Sequence, residues 1–164
     1  MKLLFSLTLF VLMAVTSFAQ TTSAKSPIFE DMYGVFVSHK LPETKRFYVS
    51  TFDMDVAFES TIFLILTTKG EKSRTVAFMP ENHPFMKPRL KAYNGTGAYL
   101  TIQVADVTSL YHDLISKHVL MAYPLKKEDW GQIRFALLDP NGIWVDVVQT
   151  IDPKPGYYDA YAPK

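Results

Sequence analysis

The sequence predicts an α+β fold built from two βαβββ modules. Two observations support this prediction. Each half of the chain is predicted to form one strand, one helix and three further strands, although the halves share almost no residue identity. The chain also closes on a clear β-hairpin, in which Asp139-Pro140-Asn141-Gly142 separates two apolar runs. Proline presets the backbone for a turn, and asparagine and glycine tolerate positive φ there.

The two strands of this closing hairpin are predicted over residues 133–138 and 143–148. Successive side chains of a strand point to opposite faces. One face of the return strand is wholly aliphatic and suits a helix or a core: Ile143, Val145 and Val147. The other face places a carboxylate between apolar side chains, as a pocket wall often does: Trp144, Asp146 and Val148.

In the first half, a strand over residues 33–37 precedes a helix over residues 41–50. Pro42 falls in the first turn of that helix, where a missing N–H is tolerated. Three more strands follow, over residues 55–60, 62–68 and 74–79. Because residues 62–66 are apolar throughout, burial on both faces of that strand is expected.

The second half repeats this order. A strand over residues 99–104 precedes a helix over residues 107–117, and Asp106 is its expected N-cap. The helix has an apolar stripe suited to packing on a sheet: Val107, Leu110, Tyr111 and Leu114. A strand over residues 119–123 then leads into the closing hairpin.

The first twenty residues have the features of an exported protein. Lys2 precedes an apolar run that ends at a small-x-small sequence, Ser17-Phe18-Ala19. This pattern predicts a signal peptide cleaved after Ala19, and the run is short for a membrane span. The mature chain is therefore expected to be periplasmic or extracellular, with no membrane association.

The amino-acid composition argues against some classes of partner and of catalytic chemistry. The chain has 17 basic and 16 acidic residues and no cysteine. With no basic cluster, nucleic acid is not an expected partner. Without cysteine there is neither a disulfide framework nor a thiol nucleophile, so the fold must rest on its hydrophobic core.

Three short motifs resemble one family. Trp130-Gly131 precedes an apolar strand and the Asp-Pro-Asn-Gly turn, Phe47-Tyr48 lies in the first helix, and Val104-Ala105-Asp106-Val107 opens the second. In this order the motifs resemble the glyoxalase/bleomycin-resistance/extradiol-dioxygenase superfamily, also called vicinal oxygen chelate proteins. The resemblance covers residues 33–149. It implies that the two modules form an open, cup-shaped mixed sheet whose concave face binds the ligand.

This interpretation divides the chain into a signal peptide, a lead-in and one glyoxalase-like domain over residues 33–150, followed by a tyrosine- and proline-rich arm. The divisions are residues 1–19, 20–32, 33–80 (module one), 81–97 (linker), 98–150 (module two) and 151–164 (arm). The arm is expected to pack on the body or on a second subunit. Because relatives commonly pair, the resemblance also implies a homodimer.

The resemblance also indicates where a metal would bind. Metal-dependent relatives place His or Glu on the first and last strands of each module. The matching positions here are Tyr33, one of residues 76–78, Tyr99 and Asp146. Only Asp146 is a usual ligand, whereas a divalent metal normally needs three or more. No metal site and no cofactor are therefore expected.

The concave face is then expected to bind a small apolar or aromatic molecule. The candidate ligand-binding residues are Tyr33, Val35, Phe78, Tyr99, Thr101, Gln103, Trp144 and Asp146. Asp146 is also the one candidate catalytic group, as a base. Three alternatives stay open: a metal-dependent lyase, isomerase or dioxygenase; a protein-interaction domain that uses the arm; and a cup filled by its own side chains, with Asp146 bonded to Tyr33, Tyr99 or Arg134.

Overall fold

The computed structural model describes residues 32–84 and 90–161. The predicted signal peptide and nearly all of the lead-in lie outside these residues, as do residues 85–89 of the linker and 162–164. The described elements are β1 (Gly34–Val37), α1 (Leu41–Phe52), β2 (Asp55–Glu59), β3 (Leu64–Thr67), β4 (Thr75–Met79), β5 (Leu100–Gln103), α2 (Val107–Ser116), β6 (Tyr123–Glu128), β7 (Gln132–Leu138), β8 (Trp144–Thr150) and a 3₁₀ helix (Tyr157–Tyr161). None of the helices within these residues is long and apolar enough to cross a membrane.

The predicted α+β fold of two βαβββ modules is confirmed. The strands form two four-stranded sheets, in the orders β1-β4-β3-β2 and β5-β8-β7-β6. The first strand of each module runs parallel to the last, and the other neighbours are antiparallel. Helix α1 packs on β2 and β3, and α2 packs on β7 and β8. Each sheet therefore has a helix-covered face and an open face.

The helix-covered faces of the two sheets share one hydrophobic core. Its buried side chains come from both modules and include Val76 and Phe78 of β4 and Val145 and Val147 of β8. Since side chains alternate along a strand, the intervening Ala77 and Asp146 belong to the open faces. Burial of this apolar core is the main favourable term in folding.

Local sequence explains the helix boundaries. Pro42 stands in the first turn of α1, and Asp53 ends that helix in a left-handed conformation with φ of 52°. The Asp106 side chain caps α2 by accepting a hydrogen bond from the Ser109 backbone N–H at 2.9 Å. Hydrogen bonds from Ser109 hold the pKa of Asp106 below its usual value, so the cap is charged near neutral pH.

The Asp-Pro-Asn-Gly turn of module two makes hydrogen bonds to module one. Asn141 contacts the start of module one: its Oδ1 accepts from the Ser38 hydroxyl at 2.5 Å, and its Nδ2 donates to Thr44 Oγ1 at 2.9 Å. Lys40 Nζ donates to the Pro140 carbonyl at 2.7 Å. The turn that closes the second module thus also binds the N-terminal end of α1.

Two strand predictions need correction. The strand expected over residues 119–123 lies later, because β6 spans Tyr123–Glu128. Pro124 lies inside it, and the register shifts between Tyr123 and Lys126; an edge strand accepts a proline at such an irregularity. The apolar run 62–66 is not buried on both faces either, since Leu64 and Leu66 are buried while Ile65 is half-buried.

The arm packs on the body. Tyr158 donates a hydrogen bond to the Trp130 carbonyl at 2.8 Å, and Lys154 Nζ lies 3.4 Å from the Asp129 carboxylate. Ile151 N–H donates to the Gly131 carbonyl. The backbone of Gly131 approaches the arm so closely that a Cβ there would lie 2.8 Å from the Ile151 carbonyl oxygen.

Candidate functional site

A cleft of about 840 Å³ opens on the open face of the second sheet. The described residues that line it come from the segment just before β5 and from β7 and β8: Gly97, Ala98, Tyr99, Arg134, Trp144 and Asp146. Trp144 is half-buried, and Tyr99 is 64% exposed. The cleft therefore combines two aromatic side chains at its walls with a charged pair, and small-molecule sites commonly have this composition.

The charged pair is Arg134 and Asp146. Arg134 Nη1 donates to Asp146 Oδ1 at 2.8 Å, and Asp146 is only 6% exposed. Of the partners expected for a self-filled cup, Arg134 is the one that Asp146 contacts. The negative charge of the buried Asp146 is balanced by the neighbouring guanidinium. Burying either charge without the other would destabilise the fold.

Arg134 also reaches a second buried carboxylate. Its Nε donates to Glu128 Oε1 at 3.3 Å. The guanidinium carbon lies 4.6 Å from the centre of the Tyr123 ring and 5.4 Å from the centre of the Trp130 ring. Burial lowers the pKa of Arg134, but Asp146 and Glu128 outweigh that effect and raise it. Arg134 is therefore a permanent cation held between rings and carboxylates.

Glu128 is ionised for a similar reason. Burial raises its pKa, but hydrogen bonds from Tyr123, Lys126 and Arg134 outweigh burial, and the pKa is lowered overall. The Tyr123 hydroxyl donates at 2.7 Å, and Lys126 Nζ lies 3.1 Å away. The two buried carboxylates and the half-buried arginine and rings form a set that we call the arginine cluster: Tyr123, Glu128, Trp130, Arg134 and Asp146.

The predicted ligand-binding residues of module two share one face. Thr101 pairs with Asp146 in the register of β5 and β8, and Gln103 pairs with Val148. Tyr99, Trp144 and Asp146 line the cleft, whereas Thr101 and Gln103 lie farther along the same exposed face. The structure thus brings three of these predicted residues into one cleft.

The predicted residues of module one lie elsewhere. Tyr33 and Val35 belong to the start of the first sheet, are 44% and 40% exposed, and do not line the cleft. The sequence-based expectation puts Phe78 on the concave face, but Phe78 is fully buried on the helix-covered face. There it stacks on Phe36 and contacts the tilted ring of Tyr48, because the register of β4 turns Ala77, not Phe78, to the open side.

The open faces of the two sheets differ in chemistry. In the first sheet, one row across the strands is apolar: Val35, Ala77, Ile65 and Phe58. In the second sheet, the corresponding row contains polar groups: Thr101, Asp146, Ala136 and Tyr123. The register therefore identifies Ala77 as the counterpart of Asp146, a choice that the sequence leaves open among residues 76–78.

The residues at the family's metal positions do not fit a divalent cation. They are Tyr33, Ala77, Tyr99 and Asp146, of which only Asp146 is a carboxylate. A cation at Asp146 would also meet the Arg134 guanidinium, whose Nη1 is 2.8 Å from that carboxylate. Among residues 32–84 and 90–161, no three His, Cys, Asp or Glu side chains come together as metal ligands.

Sequence reasoning missed most of the arginine cluster. It named Arg134 only as a partner for Asp146 and Trp130 only as part of the family motif, and it assigned no role to Tyr123 or Glu128. One signal was present, since alternation along β7 places Gln132, Arg134 and Ala136 on one face. The partners on β6 could not be found in this way because its register is irregular at Pro124.

Comparison with known proteins agrees with this architecture. Residues 31–147 match the family model of the Glyoxalase/Bleomycin resistance protein/Dioxygenase superfamily. No curated protein matches the chain significantly. Solved structures include a member of this superfamily from Sphaerobacter thermophilus, which is 18% identical with a TM-score of 0.59 over 75% of this chain and 99% of that one.

Two further solved structures are similar. A glyoxalase/bleomycin resistance protein/dioxygenase from Nocardioides is 14% identical with a TM-score of 0.61, over 82% of this chain and 91% of that one. A lactoylglutathione lyase from Agrobacterium tumefaciens is 13% identical with a TM-score of 0.58, over 76% and 96%. At these identities the likeness concerns the fold, while the family model spans most of the chain. The chain therefore belongs to the glyoxalase/bleomycin resistance protein/dioxygenase superfamily.

Proposed function

We propose that this protein is an exported binding domain that holds a small aromatic molecule in the cleft of module two without a metal. The observation that carries the proposal is the pairing of aromatic walls, Tyr99 and Trp144, with the Arg134–Asp146 ion pair. Aromatic side chains bind planar ligands by stacking, and a nearby charged pair orients a polar substituent.

The ion pair leaves hydrogen-bonding capacity for a ligand. A guanidinium carries five N–H donors, and the described bonds of Arg134 to Asp146 and Glu128 use its Nη1 and Nε. A substituent that accepts hydrogen bonds, such as a hydroxyl or a carbonyl, could therefore bind Arg134 without breaking the pair. The ligand that suits the cleft best is a planar aromatic ring with such a substituent.

Binding is favoured over catalysis by the state of Asp146. A general base must be free to accept a proton from the substrate, but the Asp146 carboxylate is buried and bonded to a permanent cation. A metal-dependent lyase or dioxygenase would need donors that the matching positions lack. The name of the similar lactoylglutathione lyase does not alter this, because at 13% identity the likeness is one of fold.

The proposal can be tested with naphthol as the probe and decalol, its saturated counterpart, as the control. Trp144 lies in the cleft, and the chain has two tryptophans, so binding should change the tryptophan fluorescence. We expect naphthol to bind saturably and decalol to bind several-fold more weakly. Replacing Trp144 by Leu removes this reporter, so binding to that variant is measured by isothermal titration. It should be roughly fivefold weaker, the value of one aromatic pair.

A matched variant controls for nonspecific effects. Tyr161→Leu removes an exposed aromatic side chain on the arm, outside the cleft, and should leave the naphthol affinity unchanged. Equal affinity for naphthol and decalol, or equal loss in both variants, would show that the cleft does not select aromatic rings. Turnover that depends on added metal and disappears in Asp146→Ala would favour the enzyme instead.

Export and pairing belong to the same proposal. The apolar row on the open face of the first sheet is exposed at its ends, with Val35 at 40% and Phe58 at 50%, and such apolar surface suits contact with a second copy. Native mass spectrometry of protein recovered from the periplasm or medium measures both whether the chain is cleaved after Ala19 and whether it is a dimer. An uncleaved monomer would contradict both parts, and a Phe58→Ser variant should shift a dimer toward monomer.

A further inference from the structure

A second cavity, which shares none of its described lining residues with the cleft, lies between the modules. Its volume is about 430 Å³, and its walls are the C-terminal part of α1, the start of β4, and β5 with α2. Both modules therefore contribute to it. Close-packed interiors leave few voids larger than a water molecule, whereas small-molecule sites fall in the range of roughly 300–1,000 Å³. We call this space the inter-module cavity.

The walls of the inter-module cavity are mostly apolar. They are buried or half-buried side chains from both modules: Phe52, Met54, Val76, Leu100, Ile102 and Leu110. The free energy falls when an apolar surface is removed from contact with water, as it is when an apolar ligand covers it. A ligand for this space must therefore present a hydrocarbon body.

The rim of the cavity carries charge, and most of that charge is neutralised by neighbours. Asp53 lies 2.6 Å from Lys69 Nζ, and Asp113 lies 2.6 Å from Lys117 Nζ. Arg74 differs from these. Its Nη1 donates to the carbonyl oxygens of residues 72 and 73, and no carboxylate within the described ranges lies in salt-bridge distance of it.

Neighbouring hydroxyls add hydrogen-bonding capacity beside Arg74. Thr68 Oγ1 accepts the Arg74 backbone N–H at 2.8 Å, which leaves the hydroxyl proton of Thr68 available as a donor. Thr75 also lines the cavity, next to Arg74 in sequence. A guanidinium with adjacent hydroxyl donors suits a carboxylate, since charge-assisted hydrogen bonds are the strongest that proteins make.

We propose that the inter-module cavity binds an aliphatic carboxylate, with the hydrocarbon chain between the modules and the carboxylate at Arg74. This site is separate from the cleft of module two and does not depend on the function proposed for it. Because the walls come from both modules, an occupant would also stabilise their packing in proportion to its affinity.

The test is isothermal titration of the purified protein with decanoate, and with decanol as the uncharged probe of the same chain length. Decanoate should bind saturably at one site. Arg74→Gln should weaken decanoate binding about tenfold or more, the effect of losing one charge-assisted contact, and leave decanol binding unchanged. Arg46→Gln, which removes an exposed arginine of α1 outside the cavity, is the matched control and should change neither.

Two further measurements make the outcomes distinct. Methyl NMR should show decanoate shifting Met54, Ile102 and Leu110, and Trp144→Leu should leave the decanoate affinity unchanged. The proposal is overturned by an absence of saturable binding, by equal effects of Arg74→Gln and Arg46→Gln, or by loss of decanoate binding in Trp144→Leu. That last result would place the fatty chain in the cleft. Arg74 is exposed, so unfolding curves should confirm that its variant is folded.

Discussion

The hydroxyl of Tyr48 donates a hydrogen bond to the Asp139 carboxylate across the two modules, with Oη and Oδ2 3.3 Å apart. Both residues are buried. Burial and the charge of Asp139 raise the pKa of Tyr48 well above its usual range, so the phenol remains a donor. The helix motif Phe47-Tyr48 and the Asp-Pro-Asn-Gly turn, distant in sequence, are therefore direct partners.

Removing the Tyr48 hydroxyl should weaken the contact between the two modules without leaving a cavity in the core. In Tyr48→Phe the ring can still pack on Phe78 and Phe52, and the loss is one hydrogen bond of about 1 kcal/mol. Urea unfolding should show this decrease in the free energy of unfolding. Tyr99→Phe removes an exposed hydroxyl and should have almost no effect. Equal stability of the two variants would mean that the contact at the junction contributes nothing.

Arg134 should be far more important for stability than its exposed neighbour Lys126. Arg134→Met leaves Asp146 and Glu128 buried without their shared cation, and breaking such a pair costs about 3–5 kcal/mol. Lys126→Met removes another partner of Glu128, but the Lys126 side chain is 57% exposed, and exposed pairs contribute about 0–1 kcal/mol. Chemical denaturation of both variants checks the difference, and similar losses would contradict it.

Glu128 should make stability depend on pH in the acid range. Its pKa in the folded chain lies below the usual 4.5. Its contribution is therefore complete above pH 4.5 and is lost as the pH falls through the lower folded value. Urea unfolding at a series of pH values should show the difference between the wild type and Glu128→Gln shrinking below pH 4.5. Glu71→Gln, in the exposed β3–β4 turn, should show no such trend.

Gly131 should not tolerate a side chain. Its φ is +101°, and an added Cβ would lie 2.8 Å from the Ile151 carbonyl oxygen and 3.0 Å from the Pro153 nitrogen. Gly70 has the same φ of +101°, but a Cβ added there would meet nothing within 4 Å beyond its chain neighbours. Gly131→Ala should therefore cost about 1–3 kcal/mol more than Gly70→Ala.

The measurement for Gly131 is thermal unfolding together with limited proteolysis of the arm. Because the clash is with residues 151–153, Gly131→Ala should expose the arm to cleavage earlier than Gly70→Ala does. If the two variants unfold and are cleaved alike, the close approach of the arm to Gly131 is not a constraint on the fold.

The sequence predicted the repeated element order because each signal was local. The turn residues at 139–142 and the Asp106 cap act within a few positions of themselves, and both are present in the structure. The strand expected over residues 119–123 was wrong for the same reason. The observed pairing begins at Tyr123, where β6 lies at the edge of the sheet and accepts Pro124 at an irregular register.

The candidate site, too, could be predicted only in part from the sequence. Alternation correctly assigned Trp144 and Asp146 to one face, and it named Arg134 among the possible partners of Asp146. It could not assign Glu128 or Tyr123 to the same cluster, because that depends on how β6 pairs with β7. The expectation that Phe78 lies on the concave face was wrong, since the face that an apolar strand turns to the core depends on register.

By itself the sequence determined the two-module fold, the cap and turn positions, the open face of β8 and the presence of only one carboxylate, Asp146, at the family's metal positions. These properties depend on residue type and on periods of two or 3.6 residues. Only the tertiary structure decided that Arg134 joins two buried carboxylates and that Ala77 matches Asp146. It also decided that Arg74 stands at a cavity between the modules, because such contacts depend on register and packing between segments far apart in the chain.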